Sequence, residues 1–172
     1  MILGAAAATS PALLTSPAEA ALHGHMERSV AFHNIHTGES LKTTYWAEGR
    51  YQPAALRQIN HLLRDYRSGT THQMDPRVID LICSLQHKLG TKRPFHVISG
   101  YRSPGTNAYL ASHTDGVAQH SLHMEGKAID IRLEGTSVSN LGRAARSLKA
   151  GGVGQYPDSG FVHVDVGRVR HW

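Results

Sequence analysis

The spacing of apolar residues changes several times along this chain, and each change marks an expected element. From Ser29 to Trp46, apolar and polar positions alternate on both sides of His36-Thr37-Gly38-Glu39. Period-two patterning around a turn with a glycine free to take a positive φ predicts a β-hairpin. Between Pro53 and Arg67 the interval lengthens, with Leu56, Ile59, Leu63 and Tyr66 at helical spacing and Pro53 suited to a first turn. A second helix is expected from Asp75 to Leu89. Asp75 can cap it, Pro76 fits its first position, and Gly90 follows its end. Val78, Ile82, Leu85 and Leu89 form its buried stripe.

Phe95 to Ser99 is a short β-branched-rich run and reads as a strand leading into the loop Gly100 to Gly105. A polar, irregular stretch is expected from there to His123. Lys127 to Leu133 reads as the next strand, and Val138 to Lys149 as an amphipathic helix started by Thr136 or Ser137. Two further short strands are expected at Gly151 to Tyr156 and Phe161 to Val166. A hairpin and two early helices, followed by strands, one helix and more strands, predict an α+β single domain, an antiparallel sheet with flanking helices. The domain is expected to span residues 29–172, after a linker at 21–28.

Composition narrows the function classes. Hydrophobic residues make up 40% of the 172 and charged residues 18%, as in a soluble globular protein. The formal charge of +5 draws the protein toward polyanions in general. Its Lys and Arg residues are scattered, with no run of five, so no nucleic-acid footprint is read. A single cysteine, Cys83, excludes an intrachain disulfide. It sits in the apolar run from Val78, so a small core residue is expected there and not a thiol nucleophile. Of the 13 histidines, His33 and His36 are expected at the surface of the hairpin, and His61 and His87 on helix surfaces.

The first 20 residues hold an Ala/Leu stretch running into Ala18-Glu19-Ala20, the small-x-small pattern of a signal-peptidase site. No Lys or Arg precedes it. Pro11 and Pro17 interrupt it, and it is too short for a membrane span. A signal peptide over residues 1–20 is the expectation, with a mature chain from near Ala21, exported to the periplasm or cell wall and without stable membrane insertion.

Three fragments carry candidate chemistry: Ser121 to Asp130, Phe161 to Asp165, and Gly100 to Ser103. A hydrolytic zinc site needs about three protein donors and one open position. His123 precedes a strand and Asp130 lies within it, with Gly126 letting the chain turn between them. In the strand at Phe161, alternation puts His163 and Asp165 on one side and Val162 and Val164 on the other. An imidazole and carboxylate from that strand can complete a site opened by the first.

These segments, SGYRSP at Ser99, HSLHMEGKAIDIR at His120 and GGVGQYPDSGFVHVDVGRVRHW at Gly151, resemble the peptidase M15 group. That group comprises zinc-dependent D,D- and L,D-peptidases on a fold shared with the hedgehog signalling domain. Its murein endopeptidase K branch is the most similar. The resemblance implies a Zn2+ metallopeptidase that hydrolyses peptide cross-links of peptidoglycan, with stem peptides as partners; a monomer is the expectation, with oligomeric state left open by the sequence. It implies His123 and Asp130 as the first two metal ligands and His163 as the third, with Asp165 as catalytic base or as a partner behind the ligand. In a strict H-x-H register Asp165 would instead be the ligand and His163 the auxiliary group. Asp158 stands in reserve as base. Arg102 matches a family arginine near the metal, able to stabilise an oxyanion or bind a carboxylate. Ser121 is expected to orient the His123 segment, and His120 to line the cleft or lie in solvent. The alternatives are a D,D- or L,D-carboxypeptidase of the same group, or a non-catalytic wall-binding or metal-storage module on the same fold.

Overall fold

The structure, a computed structural model, describes residues 27–113 and 118–172. The expected signal peptide and most of the expected linker lie outside them. The opening hairpin pairs β1 (Arg28–Asn34) with β2 (Ser40–Ala47), and β2 is extended by the two-residue β3 (Arg50–Tyr51). The turn places Gly38 at φ 74, and its amide donates to Asn34 O at 2.9 Å. Two helices follow, α1 (Pro53–Leu62) and α2 (Pro76–Lys88). Then come β4 (Phe95–Ser99), α3 (Pro104–His113), a single 3-10 turn (Leu122–Glu125) and β5 (Ala128–Arg132). The chain ends with α4 (Val138–Ser147), β6 (Gly152–Tyr156), β7 (Phe161–Asp165) and β8 (Arg170–His171).

All eight strands join one sheet in the order β3-β2-β1-β4-β5-β7-β6-β8. Neighbours are antiparallel except β1 with β4 and β6 with β8. The α+β expectation therefore holds, with a sheet that is largely but not wholly antiparallel. Alternation along the central strands separates two faces. Val97, Ile129, Ile131, Val162 and Val164 join one buried cluster with Ile59, Ile79, Ile82 and Leu141 of the helices. Burying each such side chain contributes about 1.5–3 kcal/mol. Cys83 belongs to this cluster. Asp130 and His163 alternate out of it, onto the opposite face.

Three local differences from the pattern-based reading have physical causes. Helix α1 stops at Leu62, short of Arg67, because Asp65 draws the chain into a turn. Its backbone carbonyl accepts from Gly69 N at 2.7 Å and its carboxylate from Arg67 N at 3.0 Å. The end of the expected loop and the stretch after it form α3, which starts at Pro104 and has little amphipathic pattern. Its start is held by Ser103, whose Oγ accepts from Thr106 N at 3.3 Å, ahead of Pro104. Strands β3 and β8 are only two residues long and carry no periodicity to detect.

Chain packing is tightest where α4 gives way to β6. A Cβ at Gly151 would fall onto the backbone oxygen of Asp165. Replacing Gly151 with Ala is therefore expected to destabilise the protein by about 1–3 kcal/mol in urea unfolding, and a cost below about 0.5 kcal/mol would contradict this packing.

Candidate metal centre

Strands β5 and β7 are direct antiparallel neighbours, and their register sets Asp130 opposite His163. Directly opposed residues have Cβ atoms about 4.5–5.5 Å apart on one face. His123 arrives from the 3-10 turn ahead of β5. Ser121 caps that turn by accepting from His123 N at 3.3 Å, and Gly126 ends it at φ 65. Only glycine suits this position, since a Cβ would also meet Gln73 O at 2.5 Å. Gly126 O accepts from Asp75 N at 2.9 Å, which docks the turn on the start of α2.

The donor atoms that converge are identified by their outer partners. His123 Nδ1 lies 2.7 Å from Gly100 O; a carbonyl can only accept, so Nδ1 carries hydrogen and Nε2 faces inward. His163 Nε2 lies 3.0 Å from Asp165 Oδ2, which turns Nδ1 inward. His123 Nε2 is 3.2 Å from both His163 Nδ1 and Asp130 Oδ1, and His163 Nδ1 is 2.8 Å from Asp130 Oδ1. A tetrahedral ion with bonds of about 2.0–2.1 Å holds its donors about 3.3–3.4 Å apart, so the triangle is near the size a divalent ion requires. Two imidazole nitrogens and one carboxylate oxygen also suit a hydrolytic metal chemically. The three side chains are buried or nearly so.

Electrostatics favour a cation at this point. Burial alone would raise the Asp130 pKa, but His123 and His163 hold it well below the usual carboxylate range. Burial disfavours the charged form of His163, yet hydrogen bonds to Asp130 and Asp165 outweigh it and push its pKa up to about 9. Without an ion, a proton on His163 takes over part of the neutralising task.

Behind His163 lies a saturated carboxylate. Asp165 is fully buried. Its Oδ1 accepts from Gly152 N at 3.0 Å, Gly167 N at 2.8 Å and Arg170 Nη1 at 3.1 Å. Its Oδ2 accepts from Arg170 Nη2 at 2.7 Å and from His163. Against the opposing effect of burial, these donors depress its pKa far below normal. Asp165 does not reach the cleft surface, and Asp158, exposed in the β6–β7 turn, is not among the lining residues although its neighbour Ser159 is.

Arg102 does reach it, together with His120, Tyr156 and Arg170, around an open cleft of about 480 Å³. Arg102 Nη2 stands 3.7 Å from Asp130 Oδ2, and Nη1 donates to Asn107 Oδ1 at 3.3 Å. Its Nε has no hydrogen-bond partner among the described residues. Asn107 Nδ2 in turn donates to Ala118 O and Gln119 O, each at 3.1 Å. Asp65 fastens the same loop by accepting from Ser103 N at 3.0 Å and Ser103 Oγ at 2.6 Å. Sequence reading passed over Asp65, Asn107, Arg170 and the Gly100 carbonyl. For Arg170 and Asp65 no local signal existed, because each acts on a segment far away in the chain.

The outer hydrogen bonds generate two expectations. Asp165→Ala should weaken divalent-metal affinity by about 10–100-fold, and Arg170→Ala by about tenfold, in titrations against a chromophoric chelator. Wild-type affinity in Asp165→Ala would show that the outer carboxylate has no part in the site. The ordinary His163 pKa is raised, so at neutral pH the metal-free protein carries a proton that an incoming ion must displace. Metal affinity should then weaken as pH falls below about 9, with proton release seen by calorimetry in buffers of different ionisation heat. No release near neutrality would contradict this.

Comparison with known proteins places the chain in a family. A family model described as "Peptidoglycan L,D-endopeptidase MepK", of peptidase M15, matches residues 23–172. The chain is 44% identical over 165 residues to "Peptidoglycan L,D-endopeptidase MepK" of Escherichia coli (strain K12), covering 96% of this chain and 91% of the relative. The Shigella flexneri protein of that name aligns with the same identity and coverage. "Probable peptidoglycan L,D-endopeptidase MepK" of Haemophilus influenzae is 42% identical over 146 residues, covering 84% of this chain and 78% of the relative. The chain belongs to the peptidase M15 family of metallopeptidases, in its MepK branch.

Proposed function

We propose that this protein is an exported, zinc-dependent hydrolase that cleaves L,D peptide cross-links of bacterial peptidoglycan. The observation that carries the reading is the convergence of His123 Nε2, Asp130 Oδ1 and His163 Nδ1 at 2.8–3.2 Å beside an open cleft. The relatives' names supply the substrate class. The donor set favours zinc, since two histidines and a carboxylate leave a tetrahedral ion one free position. A zinc ion held there would supply Lewis acidity toward the scissile carbonyl and toward water.

The chain's own residues then have separate tasks. His123 is locked in one tautomer by Gly100 O, and His163 by Asp165. We assign Asp165 to positioning, not to proton transfer. Five donors occupy its oxygens, which offer about four lone-pair sites, and none of its surface is exposed. The proton acceptor must therefore stand on the cleft wall, where His120 is the imidazole beyond the two ligands. Arg102 presents a fixed cation beside Asp130, placed to stabilise negative charge on the carbonyl oxygen or to grip a stem-peptide carboxylate. Burial lowers its pKa, opposed by the Asp130 charge, which marks a desolvated cation whose attraction for an anion is strengthened.

Export follows from the signal-like residues 1–20, and among the described residues no helix is long and apolar enough to cross a membrane. All three donors lie within one chain, so the proposed site needs no second copy to be complete. Purified protein incubated with isolated sacculi should release soluble muropeptides only in the presence of zinc, and a chelator should stop it. His163→Ala should lose metal retention and release together. Release that survives both chelation and His163→Ala would refute a metal-dependent hydrolase.

A further inference from the structure

The β4–β5–β7–β6 pairing aligns Ser99, Asp130, His163 and Gly154 in one row across the sheet. The last member has no side chain, and the space is taken by Trp172. A Cβ on Gly154 would meet the indole Cε2 at 2.6 Å and Nε1 at 2.7 Å. The backbone of Trp172 is anchored on both sides, donating to Val153 O at 3.2 Å and accepting from Gln155 N at 3.1 Å. Its Nε1 donates to Tyr156 Oη at 2.9 Å, and the Arg170 guanidinium lies 4.9 Å from its ring centre. The His163 ring centre is 5.4 Å away. Despite these restraints the residue is 49% exposed, and it lines the cleft. An indole held so firmly yet left half in water is a prepared apolar surface. Phe161, stacked on Tyr156 with centres 4.6 Å apart, continues that surface.

We propose that Trp172 is a specificity-determining residue whose indole receives the methylene run of a long stem-peptide side chain flanking the scissile bond. This rests on the peptidoglycan reading above. The row has a cationic end, Arg102 beside Asp130 of β5, and an aromatic end over β6, two strand spacings or about 10 Å apart. That polarity matches a residue whose backbone-side carboxylate meets the cation and whose methylenes cross the indole, its distal charged groups left in the water beside the half-exposed ring. A glycan ring fits less well. Sugars are separated from the cross-link by two or three stem residues, about 10 Å of extended chain, whereas Trp172 adjoins a metal ligand.

Binding, not turnover, tests the idea, so that its outcome is separate from that of the hydrolase assignment. The zinc-loaded protein is titrated with a stem tripeptide ending in diaminopimelate and with its analogue ending in alanine. Wild type should bind the first about tenfold tighter. Trp172→Ala should reduce the preference to about twofold, and so should Gly154→Ala, which displaces the indole without removing it. Trp172→Phe should keep most of it. Metal stoichiometry and melting temperature, expected near wild type in Gly154→Ala and Trp172→Phe, report a merely structural role. Equal affinity of wild type for both peptides, or a preference retained in Trp172→Ala and Gly154→Ala, overturns the proposal, as does its loss only together with bound metal. Sacculi left intact by the zinc-loaded enzyme would refute the hydrolase reading and leave this binding difference measurable.

Discussion

Pairing of β5 with β7 places a carboxylate and an imidazole face to face in a nearly dry position. A buried carboxylate is costly unless positive charge accompanies it. Asp130 therefore demands a cation, and the surrounding structure decides which one it meets. His123 adds a third donor whose inner nitrogen is stripped of hydrogen by the Gly100 carbonyl contact on its other side. A proton would satisfy the pair in part, and a divalent ion would satisfy all three donors at once.

The support for that pair runs outward in shells. Asp165 holds His163, and Arg170 with the Gly152 and Gly167 amides holds Asp165. Together with Arg170's second bond these donors occupy its lone pairs, so the carboxylate holds the His163 ring in one orientation. On the other flank, Asp65 pins Ser103 and thereby the loop that presents Arg102, while Asn107 links Arg102 to the segment before His120. Short β8 is important to both flanks of His163: it supplies Arg170 behind the ring and leads into Trp172 beside it. Glycines at 151, 152 and 154 permit this crowding, because a side chain at any of them would strike Asp165, Arg170 or Trp172.

Much of this was legible beforehand. Strand β4 and the cap of α2 at Asp75 coincide with the periodicity and capping signals, because both are local effects of side-chain alternation and backbone hydrogen bonding. Helix α3 escaped because its residues, PGTNAYLASH, bury no consistent stripe, although the Ser103-Pro104 start signal was present. The overlong reading of α1 came from treating Tyr66 as part of a helical stripe, when Asp65 was already committed to a turn and to Ser103.

The amino-acid sequence by itself determined the donor types, their order, the turn at Gly126 and the alternation that keeps His163 and Asp165 apart from the valines between them. Those are short-range properties, set by covalent geometry and side-chain chemistry. Only the tertiary structure decided that Asp130 faces His163, that Asp165 lies behind His163 and off the cleft wall, and that Arg170 and Trp172 return to the cleft. Strand register and burial are settled by competition among all packed segments at once, and a residue's neighbours across a sheet leave no mark on its neighbours along the chain.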